Sequence, residues 1–308
     1  MNRQIGRLAL LLVSLAFITP ATASPLQVQK VTDGVYALVG DLDQRSPENL
    51  GNNATFGVIV TKDGIVLVDP GASYEGARQI HQAIRTITDR PVRLVINTGG
   101  QDQRWLGNGY FKAQGAKIVA AAAAVADQRA RATDQLITLH QLVGEKRMAG
   151  TEPVYAERTF EDRLELEHGG IRFVLRHPGP AHTPGDSFVW LPQKKVVFAG
   201  DIVYVERLLV VSAESRSQSW IKAFEEIAAL QPAHVVPGHG PATTLARARA
   251  DTCDYLVALR TQIKPLIERG SGMDAVDQID QSRFKHLKHY EQIKGRNAQQ
   301  VYQEMEWE

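Results

Sequence analysis

Short apolar blocks set off by polar turns organise this chain. Residues 35–39 and 54–60 have the length and side chains of strands, and Thr61-Lys62-Asp63-Gly64 turns directly into the apolar run 65–69, a hairpin signature. Residues 74–87 set Ala77, Ile80, Ala83 and Ile84 at helical spacing, and Pro91 then introduces an apolar strand at 92–96. A helix over 105–114 closed by Gly115, a short strand over 117–120 and a long Ala-rich helix over 121–142 complete the first half. The second half repeats that order. A strand-rich block at 158–198, with a hairpin turn at Gly169-Gly170, leads to a helix at 217–230, a strand at 233–236 and a helix at 243–269. Strands followed by helices, twice over, predict an α/β fold of two sheets packed face to face with helices outside.

The ends divide the chain further. Residues 1–23 carry Arg3 and Arg7, then the apolar run 8–18, then Pro20 and Ala21-Thr22-Ala23, the layout of a cleavable secretory signal. That run is shorter than the ~20 apolar residues needed to span a bilayer, so cleavage and a periplasmic or secreted location are expected, with no membrane contact afterwards. Residues 24–270 then form the main domain and 271–308 a polar, helical C-terminal extension beyond Gly270-Ser271-Gly272. The formal charge of +1 becomes −1 without Arg3 and Arg7, and no basic stripe occurs elsewhere, so nucleic acid is not an expected partner. Cys253 is the only cysteine, which rules out an internal disulfide and a thiolate zinc site. Any metal must be held by histidine and carboxylate.

Candidate chemistry concentrates at strand ends: Asp69, then Asn97-Thr98, then Ala181-His182-Thr183-Pro184-Gly185-Asp186, Ala199-Gly200-Asp201 and Pro237-Gly238-His239-Gly240. Proline and glycine around His182 and His239 hold both imidazoles on ordered backbone, as a metal ligand requires. Asp186 reads as a residue that orders the His182 loop. No Gly-x-Ser-x-Gly elbow supports a serine hydrolase.

In that order these motifs resemble those of the metallo-β-lactamase-fold hydrolases over roughly residues 28–245. The resemblance implies a four-layer αββα sandwich with zinc at its rim, where metal-bound water attacks the substrate. It sets His182 on the third histidine of the first metal site, Asp201 on the bridging carboxylate, His239 on the last histidine and Asp69 on a structural aspartate. The segment from Asn97 to Asn108 departs from the family, because its expected His-x-His-x-Asp-His run contains no histidine. In one register Gly99 and Gln101 stand at the first two histidines, Gln103 at the aspartate and Arg104 at the last histidine. A one-residue slip instead puts Asp102 on the aspartate.

The slipped register permits a single zinc ion held by Asp102, Asp201 and His239 with His182 across the rim, Asp102 and Asp201 being the catalytic carboxylates. The expectation is an exported hydrolase of reduced or altered activity, acting by metal-bound water on an ester, amide or thioester. The alternative is a pseudoenzyme whose Gln101, Gln103 and Arg104 bind a small anionic or amide-bearing ligand, since a fixed positive charge disfavours a cation there.

Overall fold

The computed structural model describes residues 24–308, and the expected signal segment lies outside them. The first sheet runs in chain order through β1 (Gln27–Thr32), β2 (Val35–Val39), β3 (Thr55–Thr61), β4 (Gly64–Val68), β5 (Val92–Asn97), β6 (Lys117–Ala121) and β7 (Arg158–Phe160). It is antiparallel as far as β4 and parallel from β4 to β7. The second sheet contains β8 (Arg163–His168), β9 (Ile171–Arg176), β10 (Phe188–Leu191), β11 (Val196–Phe198) and β12 (His234–Val236). Its pairs are antiparallel except for β11 and β12.

The described residues also form eight α-helices: α1 (Tyr74–Arg85), α2 (Asn108–Ala113), α3 (Ala122–Val143), α4 (Glu145–Met148), α5 (Ser217–Ala229), α6 (Leu245–Ala248), α7 (Asp254–Glu268) and α8 (Tyr290–Glu306). None is long and apolar enough to cross a membrane.

The alternation of strand side chains sorts the core into layers. Val66 and Val68 of β4 face inward, packing in one cluster with Phe173, Leu175, Val189 and Phe198 of the other sheet. Ile65 and Leu67 of the same strand face outward, into a cluster with Ile80 and Ile84 of α1 and Phe111 of α2. Being covered on both faces, β4 is buried along its whole length and reads in sequence as a continuous apolar run. The outer face of the second sheet, through Val197 and Val235, packs on Trp220 and Phe224 of α5 and Leu256, Leu259 and Ile263 of α7. The result is the expected αββα sandwich. Phe284, Leu287, Val301 and Tyr302 belong to that last cluster as well, so the C-terminal segment shares the core of the helices it covers.

The helix expected over 243–269 is interrupted by a π-helical turn at Arg249–Cys253. The turn brings Thr252 and Asp251 against the strand-like segment after Asp201. Thr252 Oγ1 donates to the Tyr204 carbonyl at 2.6 Å and accepts from the Tyr204 amide, while Asp251 accepts from the Glu206 amide at 3.0 Å. This clamp fixes the wall that carries Tyr204 and Arg207.

Candidate functional site

Strand β5 delivers Thr98 to the rim, where its amide and hydroxyl both donate to Asp69 at 2.8 Å. The following glycines leave no room for side chains. A Cβ on Gly99 would sit 2.5 Å from Asp186 Oδ1, and one on Gly100 would sit 1.7 Å from Asp127 Oδ2. The space that a histidine at position 99 would use is therefore filled by neighbouring carboxylates. Asp186 itself accepts from the Thr183 amide and hydroxyl, both at 2.7 Å, and so orders the turn after His182. Burial, followed by the nearby Asp201 charge, pushes the Asp186 pKa up to about 8.

Residues Asp102–Arg104 form one 3₁₀ turn. With three residues per turn, successive side chains point about 120° apart, so its three residues meet three different surroundings. Asp102 turns toward Arg45, whose Nη2 it accepts, and toward the Gln103 amide at 2.8 Å. Gln103 Oε1 accepts from the same Arg45 nitrogen at 2.6 Å, and its Nε2 reaches His239 Nε2 at 3.4 Å and Asp201 Oδ2 at 3.5 Å. Arg104 turns fully inward and is 0 % exposed.

All five guanidinium N–H groups of Arg104 are engaged. Nε and Nη2 grip the two oxygens of Asp201 at 3.1 and 2.7 Å. Nη1 donates to Asp69 Oδ2 at 2.9 Å and to the Thr55 carbonyl at 3.2 Å, and Nη2 also donates to the Gly238 carbonyl at 2.9 Å. One cation thus joins the ends of β3, β4, β11 and β12, the two sheets together. Burial acts to lower its pKa, but the Asp201 and Asp69 charges more than offset this and raise it. Burial acts to raise that of Asp201, yet the Arg104 charge holds it well below the usual carboxylate range. Asp69 is pushed by burial to about 6 against the pull of Arg104, and stays ionised at neutral pH.

His239 lies 3.2 Å from Asp201 Oδ1 through Nε2, and its Nδ1 donates to the Asn53 carbonyl at 2.7 Å. Because a carbonyl can only accept, the proton resides on Nδ1, and Nε2 is the nitrogen that takes the Gln103 amide. Burial lowers its pKa to about 4, with the Arg207 and Arg104 charges adding to the effect against Asp201, so the ring is neutral at pH 7. Tyr204 stacks on it with centroids 4.5 Å apart. His182 is anchored separately, by Nδ1 to the Val210 carbonyl at 2.9 Å and by edge contacts with Tyr204 and Trp220.

The four expected metal ligands are therefore not assembled into a cage. Among the described residues no group of three or more His, Cys, Asp or Glu side chains could hold a metal ion. Asp201 and His239 do adjoin, but the carboxylate face that a metal would share is taken by a guanidinium. Asp102, assigned to the cage and to catalysis in the slipped register, is paired with Arg45. Gln103 and Arg104 are what face Asp201 and His239, which favours the unslipped register. Nor can Arg104 touch a ligand, since every donor is satisfied inside the protein. Of the residues expected to bind one, Gln103 is 1 % exposed with its amide engaged by Arg45, Asp201 and His239, and Gln101 is left at the rim, contacting Arg131 at 3.5 Å. Zinc does not fit this donor set.

Sequence reasoning missed Arg45 and Arg207, which stand in irregular segments with no motif around them. The only available signal was charge, two arginines in the loops that flank His239 in space.

A family model described as "Metallo-beta-lactamase superfamily" matches residues 50–239. The chain belongs to that superfamily. It is 24% identical over 218 residues to a type 2 metallo-beta-lactamase from Elizabethkingia meningoseptica, an alignment covering 70% of this chain and 78% of that one. It is 27% identical over 181 residues to 2,4-dinitroanisole O-demethylase subunit alpha from a Nocardioides strain, covering 57% of this chain and 49% of that subunit. Among solved structures, a metallo-beta-lactamase from Pontibacter korlensis superposes with a TM-score of 0.60 at 22% identity, covering 75% of this chain and 99% of the other. A double mutant of the sec-alkyl sulfatase PisA1 superposes with a TM-score of 0.69 at 15% identity, covering 91% of this chain and half of its own, 50%. These superpositions bear on the fold alone.

Proposed function

We propose that this chain is a metal-independent member of the metallo-β-lactamase-fold hydrolase superfamily that binds a small ligand at the old rim without hydrolysing it. The observation that carries this reading is Arg104. Its guanidinium supplies, from within the chain, a positive charge where the aligned motif has its last histidine, and it saturates Asp201 and Asp69. A zinc ion at Asp201 and the adjoining His239 would have to expel a fully buried arginine and then find its remaining ligands among two glycines, two glutamines and His182. The hydrolase expectation, one zinc held by Asp102, His182, Asp201 and His239, needs a convergence these side chains do not make.

What remains at the rim suits recognition. Gln101 offers an amide group, Arg45 a charge, and Tyr204 with His182 an aromatic wall. A small anionic or amide-bearing molecule matches that set. Export to the periplasm or medium is part of the proposal, supported by the leader pattern at residues 1–23.

Elemental analysis and thermal melts test it. The purified protein is expected to carry no stoichiometric zinc and to show no rise in melting temperature at about 100 μM zinc, because only a ligand of the native state stabilises it. One zinc per chain, or a zinc-dependent ester, amide or thioester hydrolysis abolished by Asp201→Asn, would overturn it.

A further inference from the structure

Arg207 is only 6 % exposed, yet a single hydrogen bond satisfies it, from Nη1 to the Asp43 carbonyl at 3.1 Å. Its Nε is buried without a partner, and among the described residues no carboxylate forms an ion pair with it. Burial depresses its pKa and the Arg45 charge adds to that. A buried cation without a direct ion pair is costly, and the Asp201 and Asp41 charges offset that cost only in part.

The unused part of Arg207 is informative. Nε and Nη2 form one edge of a guanidinium, the edge with which Arg104 grips both oxygens of Asp201. In Arg207 that edge is unpaired. Two further orphaned atoms belong to the loop that holds it. Asn53 shares the Asp43 carbonyl with Arg207 through Nδ2, and its Oδ1 is buried without a partner. Arg45, two residues beyond Asp43, has a buried and unpartnered Nε. Its Nη2 is spent on Asp102 and Gln103, so Arg45 has a counter-ion and Arg207 has none. Asn53 also links this region to His239, whose ring Nδ1 is held by the Asn53 carbonyl and whose pKa the Arg207 charge depresses.

We propose that Arg207, assisted by Arg45, forms a carboxylate-binding subsite in the wall between the 40–54 loop and the segment after Asp201, and that the natural ligand is a small organic acid. The planar Nε–Nη2 edge donates two parallel hydrogen bonds to a carboxylate, a geometry that lysine cannot reproduce. Asn53 Oδ1, an acceptor, suits a hydroxyl next to that carboxylate. The bound acid supplies the counter-ion that Arg207 lacks and leaves Arg104 undisturbed.

The subsite rests on the reading of the rim as a ligand-binding and metal-free surface. The probe is sodium glycolate, a carboxylate with an adjacent hydroxyl, added to the purified protein at constant ionic strength, with sodium sulfate and sodium chloride alongside. Glycolate is expected to raise the melting temperature and to saturate at about millimolar concentration. In Arg207→Lys, which keeps the charge and loses the fork, binding should weaken at least tenfold, and in Arg207→Met the shift should vanish while the protein still melts cooperatively. An equal response to sulfate, an undiminished glycolate response in Arg207→Lys, or no response in the wild type would overturn the subsite. The metal-free reading fails on a different measurement, stoichiometric zinc, which these outcomes do not involve.

Discussion

Arg104 and Arg207 are the same side chain at nearly the same burial, some hundred residues apart in sequence, both acting on the charge of His239, and the protein treats them in opposite ways. Arg104 meets two carboxylates and two carbonyls and uses every donor. Arg207 meets one carbonyl and leaves its bidentate edge empty. A buried charge that is fully paired acts as part of the scaffold, whereas one left unpaired marks a place where the scaffold is incomplete without something else. The difference separates what holds this rim together from what the rim is for.

The largest effect should come from removing the scaffold charge. Arg104→Met leaves Asp69 and Asp201 buried without their cation, which typically costs about 3–5 kcal/mol. In a chain of this size that corresponds to a fall in melting temperature of roughly 10 °C. Calorimetry on the purified variant measures it. Adding Asp201→Asn to the same protein removes one of the stranded charges, so the double variant should recover about 1–3 kcal/mol of the loss. A loss below about 1 kcal/mol in Arg104→Met would erase the distinction between the two arginines.

The opposite sign is expected at Arg207. Replacing it by Met discards a desolvated charge and a single hydrogen bond, so stability in the absence of ligand should rise by about 1 kcal/mol. Denaturant melts with unchanged slope would show that the gain belongs to the folded state. A binding residue that destabilises its own protein is the expected signature of a site maintained for function. A destabilisation of 2 kcal/mol or more would instead put Arg207 in the same structural role as Arg104.

Sequence alone revealed the layers and most of the rim, and the reason is physical. Period-2 strands and 3.6-period helices record which face is buried, and Asp69, His182, Asp201 and His239 stand beside glycines and prolines that mark strand ends. Two things escaped it. The 3₁₀ turn at Asp102–Arg104 sends neighbouring side chains in different directions, so a one-residue slip exchanged a residue paired to Arg45 for one that faces the metal position. Arg207 reaches the 40–54 loop only because that loop folds back, its Asp43 carbonyl holding both Asn53 and Arg207. Nothing in local pattern records a contact between residues so far apart. The π-helical turn at Arg249–Cys253, which fixes the Arg207 wall, is equally silent, since neither glycine nor proline marks it.

A pH-dependent effect concerns the carboxylate that fills the lost histidine position. Asp186 has its pKa pushed up to about 8, by burial first and the Asp201 charge second, from an ordinary value of 3.8. In the folded protein it therefore keeps its proton over a range in which the unfolded chain has lost it. A folded state that binds more protons than the unfolded one is favoured at low pH, so this group's contribution is fully present below about 4 and is lost as pH rises toward 8. Asp186→Asn imitates the protonated form, since its amide can donate to the Thr183 hydroxyl and its oxygen can still accept the Thr183 amide. The variant should match the wild type near pH 4 and become the more stable of the two between pH 6 and 8, as melts across that range would show. A stability difference that stays flat with pH would mean that Asp186 is ionised in the fold. The repulsion from Asp201 that Arg104 fails to screen would then be absent, and Arg104 would neutralise the whole rim rather than the one carboxylate it grips.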